Sequence, residues 1–150
     1  MIHIECTGVI RINDKMVKIH THDILDKIRT ELRKAHDHID VYLYRLSHPA
    51  LILELVFALQ RQVTVQINLD KSALNKKTMA YYAILIHFGA NIRLNSSRKM
   101  LHHKMAIIDQ NTLITGSYNW TKHAENSSLE NIVILKEIAP LRNKFKLFLN

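Results

Sequence analysis

The sequence predicts an α/β fold in which a mixed β-sheet is sandwiched between layers of helices. Three observations carry this. Short runs with period-two alternation, such as IDVYLYRL at residues 39–46, are interleaved with longer runs of helical period. The helical runs carry suitable punctuation: Pro49 fits a first turn, and Gly89 fits a left-handed stop. No Pro-, Gly- or Ser-rich linker divides the 150 residues, so a single domain over residues 1–150 is expected.

In chain order, residues 2–6 and 9–12 alternate enough for a hairpin or paired edge strands, with Asn13-Asp14 as a turn signal. Residues 17–20 read as another short strand. Thr21 or Asp23 can cap a helix to about residue 36, whose apolar face holds Ile24, Leu25, Ile28, Leu32 and Ala35. A strand at 39–46 and a helix at 49–60 follow, then a strand at 63–69 and a helix at 73–88 capped by Ser72. A strand at 90–94 leads into two short strands, 105–108 and 112–115, joined by a tight Gln110-Asn111 turn. Residues 120–128 read as loop with one helical turn, 130–136 as a strand, and Pro140 opens an amphipathic helix over 141–149.

The net charge of +8 favours anionic partners, nucleic acid ahead of an acidic membrane surface. Composition alone leaves a merely solvated basic surface open. The longest apolar run, residues 50–59, is broken by Glu54 and falls far short of the ~20 residues a membrane span needs, so no span is expected. The single cysteine, Cys6, excludes an internal disulfide and fits a reducing compartment. The opening MIHIECTGVI lacks a basic stretch followed by an apolar core, so no signal peptide is read and a cytoplasmic location is expected. A removed leader with a periplasmic location is the alternative.

The chemistry-bearing residues concentrate in residues 101–119. His102, Lys104, Asp109, Gly116, Ser117 and Asn119 form one pattern of six positions over eighteen residues. Side chains alternate along a strand, so His102 and Lys104 point the same way, as do Ser117 and Asn119. A hairpin would gather an imidazole, an ammonium, a hydroxyl and a carboxamide into one small volume. That set suits a phosphate: a nucleophile or acid, a fixed positive charge and neutral donors. Gly116 would let backbone come close to such a group.

This pattern, His-x-Lys-(x4)-Asp-(x6)-Gly-Ser-x-Asn, resembles the signature of the phospholipase D superfamily at every signature position. The approach to it, and AENSSLENIVIL after it, resemble the small bacterial nuclease branch, with coverage of about residues 39–135. The resemblance implies a phospholipase D-like fold. It makes His102 the nucleophile that forms a phosphohistidine, with Lys104, Ser117 and Asn119 on the non-bridging oxygens and Glu130, of the Glu130-Asn131 pair, orienting the imidazole. Asp109 is read as structural, satisfying backbone or a basic side chain near the turn. The reaction needs a second histidine as acid, and large family members carry two motifs where this chain carries one. A homodimer sharing one active site on its two-fold axis is therefore expected. Two imidazoles sharing one proton would give a bell-shaped pH profile. No cofactor or metal is implied. Residues 1–38 carry no mappable aromatic-Ser-Pro stretch, and Arg61-Gln62-Val63 replaces the Gly-Val common after the second helix.

The function implied is a metal-independent endonuclease acting on DNA, with RNA as a further substrate, and with little sequence preference. Alternatives are a phospholipase D-type hydrolase of an anionic lipid such as cardiolipin, and a non-catalytic nucleic-acid-binding module. Arg98, Lys99 and Lys122 flank the signature and are expected at the mouth of the site, steering a polyanion. Lys71, Lys76 and Lys77 either extend that surface or are solvated. Trp120 either stacks on a base or packs at the dimer interface, packing being favoured. His103 is expected to be packed on the opposite strand face. His20, His22 and Asp23, like His36, Asp37, His38 and Asp40, resemble metal ligands in type, but their spacing justifies no site.

Overall fold

The structure, a computed structural model, describes residues 8–12 and 15–138. Eight strands form one mixed sheet in the order β1-β2-β8-β7-β6-β3-β4-β5. Strands β3 (His38–Leu43), β4 (Thr64–Asp70) and β5 (Asn91–Asn95) are parallel, joined by helices α2 (Pro49–Gln60) and α3 (Lys76–His87). The remaining strands are antiparallel: β1 (Gly8–Ile12), β2 (Lys15–His20), β6 (Lys104–Ile108), β7 (Thr112–Gly116) and β8 (Ile132–Lys136). Helix α1 (Ile24–Lys34) packs beside α2, and α2 beside α3, while the short α4 (Lys122–Ser127) follows β7.

Alternation explains the layering. Ile39, Val41 and Leu43 of β3 and Val65, Ile67 and Leu69 of β4 are buried in one core with Ile28, Leu32, Leu51, Leu55 and Leu85 of the helices. Each fully buried aliphatic side chain of this kind contributes about 1.5–3 kcal/mol. Helix α2 is apolar nearly all round, as befits the middle of a helical layer. Glu54, its one acid, is 3% exposed and bonded to Arg29 (2.9 Å) and Arg33 (2.6 Å) of α1. Removing both arginines would strand a buried charge.

Several boundaries differ from the sequence reading. The hairpin pairs 8–12 with 15–19; the strand expected at 2–6, the turn expected at Asn13-Asp14 and the helix expected at 141–149 lie outside the described residues. Helix α1 stops at Lys34, because the backbone of residues 36–38 turns away to bond Asp109, and Asp23 enters the helix at φ 52 with no side-chain cap. The run at 39–46 leaves the ladder after Leu43: Leu46 bridges to Trp120, and Ser47 and His48 each donate N–H to the Trp120 carbonyl at 2.8 Å. The third helix is split. Asp70 caps a 3₁₀ turn at Lys71–Ala73, and Asn75 starts α3 through a reciprocal pair with Thr78, at 3.0 and 2.9 Å. Gly89, at φ 101, ends that stretch.

The β6–β7 turn is centred one residue earlier than expected, on Asp109 (φ 51) and Gln110 (φ 55), with Asn111 N–H donating to Ile108 C=O at 3.0 Å. Two successive positive φ values match the twist of the flanking strands.

Candidate active site

The site lies where β3 ends and β6 begins. Leu43 pairs with Lys104, and Tyr44 N–H continues the ladder to His103 C=O at 2.9 Å. His102 therefore sits just beyond the strand. Lys104 Nζ lies 3.1 Å from His102 Nδ1 and 3.3 Å from Nε2, and donates to the His102 carbonyl at 2.9 Å. A neutral imidazole has one acceptor nitrogen, so only one of the two ring contacts is a hydrogen bond at a time. The Tyr44 ring stands 5.2 Å from the His102 ring, with Lys104 Nζ 5.8 Å from its centroid. Burial pushes the half-buried Lys104 ammonium below the usual lysine range, and Glu130 partly restores it.

The opposite wall is built from β7 and the approach to β8. Ser117 N–H donates to Asn131 C=O, and Asn131 N–H returns to Ser117 Oγ, both at 3.0 Å. The Ser117 hydroxyl donates to Glu130. Gly116 makes this junction possible: a Cβ there would lie 2.2 Å from Asn131 O and 2.8 Å from Ile132 Cα. This corrects the expected role of Gly116, since its close approach is to the chain's own β8 backbone. Asn119 completes the wall with a buried amide oxygen that has no hydrogen-bond partner among the described residues.

Between the walls lies a cleft of about 360 Å³, lined by Tyr44, Arg45, Lys77, Asn119, Lys122 and Glu130 among others. Three cations face it, so its potential favours an anion. Lys77 reaches it because α3 begins at the end of the parallel strands where such folds place ligands. Tyr44 and Arg45 were not picked out from sequence as site residues, yet they follow the end of β3, and that rule was the available signal; Lys77, left open between the basic surface and solvent, lines the cleft.

Other expected residues fall as follows. Asp109 accepts N–H bonds from His38 (3.0 Å), Asp37 (2.9 Å) and His36, whose Nδ1 lies 2.7 Å away. Burial opposes its charge, but these donors outweigh burial and hold its carboxyl below the usual range. Trp120 is 2% exposed within this protomer's own core, which corrects both the stacking and the interface expectation. His103 is exposed rather than packed, because the chain at 100–103 lies outside the sheet. Lys99 lines a neighbouring hollow with His103, and Arg98 is exposed in the bend before it. Ser117, expected on a phosphoryl oxygen, is engaged by Glu130 and Asn131, and among the described residues Glu130 has no hydrogen bond to His102. No group of three or more His, Cys, Asp or Glu among the described residues is arranged to hold a metal ion.

A family model described as "Cardiolipin synthase, PLD-like domain" matches residues 28–146. The chain belongs to the phospholipase D superfamily. It is 32% identical over 120 residues to a mitochondrial cardiolipin hydrolase of Homo sapiens, a match that spans 79% of this chain and 46% of that protein. It is 31% identical over 107 residues to a phospholipase D of Rickettsia typhi, spanning 71% of this chain and 52% of that protein. The chain thus spans about half the length of these relatives. Among solved structures it is similar to Nuc, a phospholipase D family member from Salmonella typhimurium, at 25% identity and a TM-score of 0.83, covering 89% of this chain and 91% of that one. NucT from Helicobacter pylori is similar in fold, at 19% identity and a TM-score of 0.73, covering 88% and 91%. The expected mixed sheet flanked by helices is the phospholipase D fold. No helix among the described residues is long and apolar enough to cross a membrane.

Proposed function

We propose that this protein is a phosphodiesterase that hydrolyses nucleic acid, DNA first and RNA second, with little sequence preference, at a site shared by two copies of the chain. The observation that supports this most is the His102–Lys104 pair, its imidazole against the ring of Tyr44, beside a cleft that Tyr44 lines together with Asn119, Arg45, Lys77 and Lys122. Cations around a reacting centre give sequence-independent affinity for a phosphate backbone.

In the proposed cycle an imidazole nitrogen of His102 forms a bond to phosphorus as the ester P–O bond opposite breaks. The leaving oxygen takes a proton from His102 of the second copy. Lys104 and Asn119 hold the non-bridging oxygens, where negative charge grows. Glu130, anchored by Ser117, is the carboxylate assigned to orient the imidazole. Water then attacks the phosphohistidine, the second imidazole takes its proton, and the P–N bond breaks. These residues carry each step, and no metal ion is called on.

The relatives named as cardiolipin hydrolases favour one second reading, hydrolysis of an anionic phospholipid. The test is incubation of the purified protein with plasmid, single-stranded DNA, RNA and cardiolipin vesicles in excess EDTA, beside His102→Ala. Cleavage of nucleic acid by the wild type alone is the expected result. Lipid hydrolysis without nucleic-acid cleavage would transfer the proposal to the second reading, and binding without any turnover would leave a nucleic-acid-binding module. Sedimentation at micromolar concentration is expected to give a dimer; a fully active monomer would remove the shared site.

A further inference from the structure

A second basic hollow, of about 290 Å³, adjoins the segment that carries His102. Its floor is a row of three side chains in register on adjacent strands: Tyr42 of β3 faces Asn68 of β4, which faces Arg93 of β5. They project from the sheet face opposite the buried Val41, Ile67 and Leu69. Lys99, Met100 and His103 close the hollow from the connection between β5 and β6.

That connection is held in place from beneath. Asn95 Nδ2 and Ser97 Oγ both donate to the Lys99 carbonyl at 2.8 Å, and Asp70 accepts from Asn95 Nδ2 at 3.1 Å and from Leu101 N–H at 2.7 Å. The Lys99 side chain stands exposed on this fixed backbone. Among the described residues no carboxylate lines the hollow, so none of them pairs Arg93 or Lys99 there. Leu101 and His103 both line it, and His102 lies between them in sequence. The hollow therefore adjoins the backbone of the segment that carries His102.

We infer that this hollow binds a second phosphodiester of the same nucleic-acid strand, next to the one being cleaved. The inference rests on the proposed nucleic-acid reading. Arg93 supplies a planar fork for two phosphate oxygens, and Lys99 a point charge. The His103 imidazole adds a donor, while the exposed Met100 and the ring of Tyr42 meet sugar or base. A polymer places phosphates on both sides of the scissile one and so uses both basic surfaces. The phenol-and-amide floor offers no trough for an acyl chain, which favours nucleic acid over lipid.

The test uses His102→Ala protein with and without Arg93→Gln/Lys99→Gln, titrated by fluorescence anisotropy with labelled oligothymidylates. A dinucleotide carries one phosphodiester and an octamer several. The double substitution is expected to weaken octamer binding by about tenfold and to lower the slope of log Kd against log salt by about 0.7, for one lost phosphate on a single strand. Dinucleotide binding serves as the internal control and is expected to hold. Unchanged octamer affinity would overturn the subsite, as would equal weakening of both ligands, which marks damage to the reacting centre. Weakened binding to cardiolipin vesicles with no change on the octamer would assign the hollow to a lipid headgroup and overturn it too. The two proposals fail separately. A wild type that binds through Arg93 and Lys99 without cleaving nucleic acid sinks the function and keeps the subsite. A nuclease indifferent to both substitutions does the reverse.

Discussion

Asp70 Oδ2 accepts the backbone N–H of Leu101, 31 residues downstream, at 2.7 Å, and thereby fixes where the His102 segment begins. Its other oxygen takes Ser72 Oγ at 2.6 Å and Ser72 N–H at 3.0 Å. A buried carboxylate thus ties the end of β4 to the residue before the candidate nucleophile.

Asp70→Asn is expected to lower kcat with little change in KM, since it displaces a reacting group without touching substrate. The Ser72 hydroxyl and backbone, with Leu101 and Asn95, hold the Asp70 carboxyl well below the usual carboxylate range against the cost of burial. A depressed pKa contributes stability above the unfolded value, about 4, and loses it as pH falls through the folded value. Urea midpoints measured from pH 2 to 7 are therefore expected to fall less steeply in acid for Asp70→Asn than for the wild type. Parallel curves would contradict this.

Lys104→Ala is expected to cost about 10²–10³ in kcat, the range seen when a positioned donor to developing charge is removed. Lys104 also has a pH signature. Burial lowers its pKa and Glu130 raises it, so Glu130→Gln removes that restoring charge. The alkaline limb of the rate profile is then expected to move towards neutrality. An upward move would show that another group sets that limb.

Gly116→Ala tests the β7–β8 junction. Its Cβ would meet backbone, which cannot rotate aside as a side chain can. A loss of about 1–3 kcal/mol is expected, read as a fall in Tm of roughly 2–4 °C per kcal/mol. An unchanged Tm would mean that β8 shifts freely at Asn131.

Gln62 occupies a left-handed position, φ 66, at the end of α2, with Val63 N–H donating to Ala58 C=O at 3.1 Å. A left-handed non-glycine residue costs about 1–2 kcal/mol, against about 0.5–1 kcal/mol for the extra freedom of glycine. Gln62→Gly is expected to raise Tm by a few degrees with activity intact, and calorimetry would decide.

Much of the fold was legible because local rules and tertiary packing agreed. Helix α2 runs over the residues expected, since Pro49 and an apolar run broken only by Glu54 leave no competing start. The third helix was misjudged at its start because Ser72 looks like a cap, whereas the buried Asp70 takes that part and Asn75 begins the helix. Trp120 was misjudged because a tryptophan beside a motif residue gives no hint of direction; its carbonyl and ring are both used to close the chain after β3.

By itself the sequence determined which chemistry-bearing residues belong together, because alternation along a strand and fixed spacing are local properties of the chain. It also determined the family, through six residues whose order survives in the signature. Only the tertiary structure decided what surrounds them. Parallel pairing of β3, β4 and β5 brings Tyr44, Arg45 and Lys77 to the cleft from segments distant in sequence. The β7–β8 approach turns Ser117 towards Glu130 and Asn131, and Asp70 reaches across to Leu101. Contacts between segments far apart in the chain depend on sheet order and on which buried polar group finds which partner, and no local pattern encodes either.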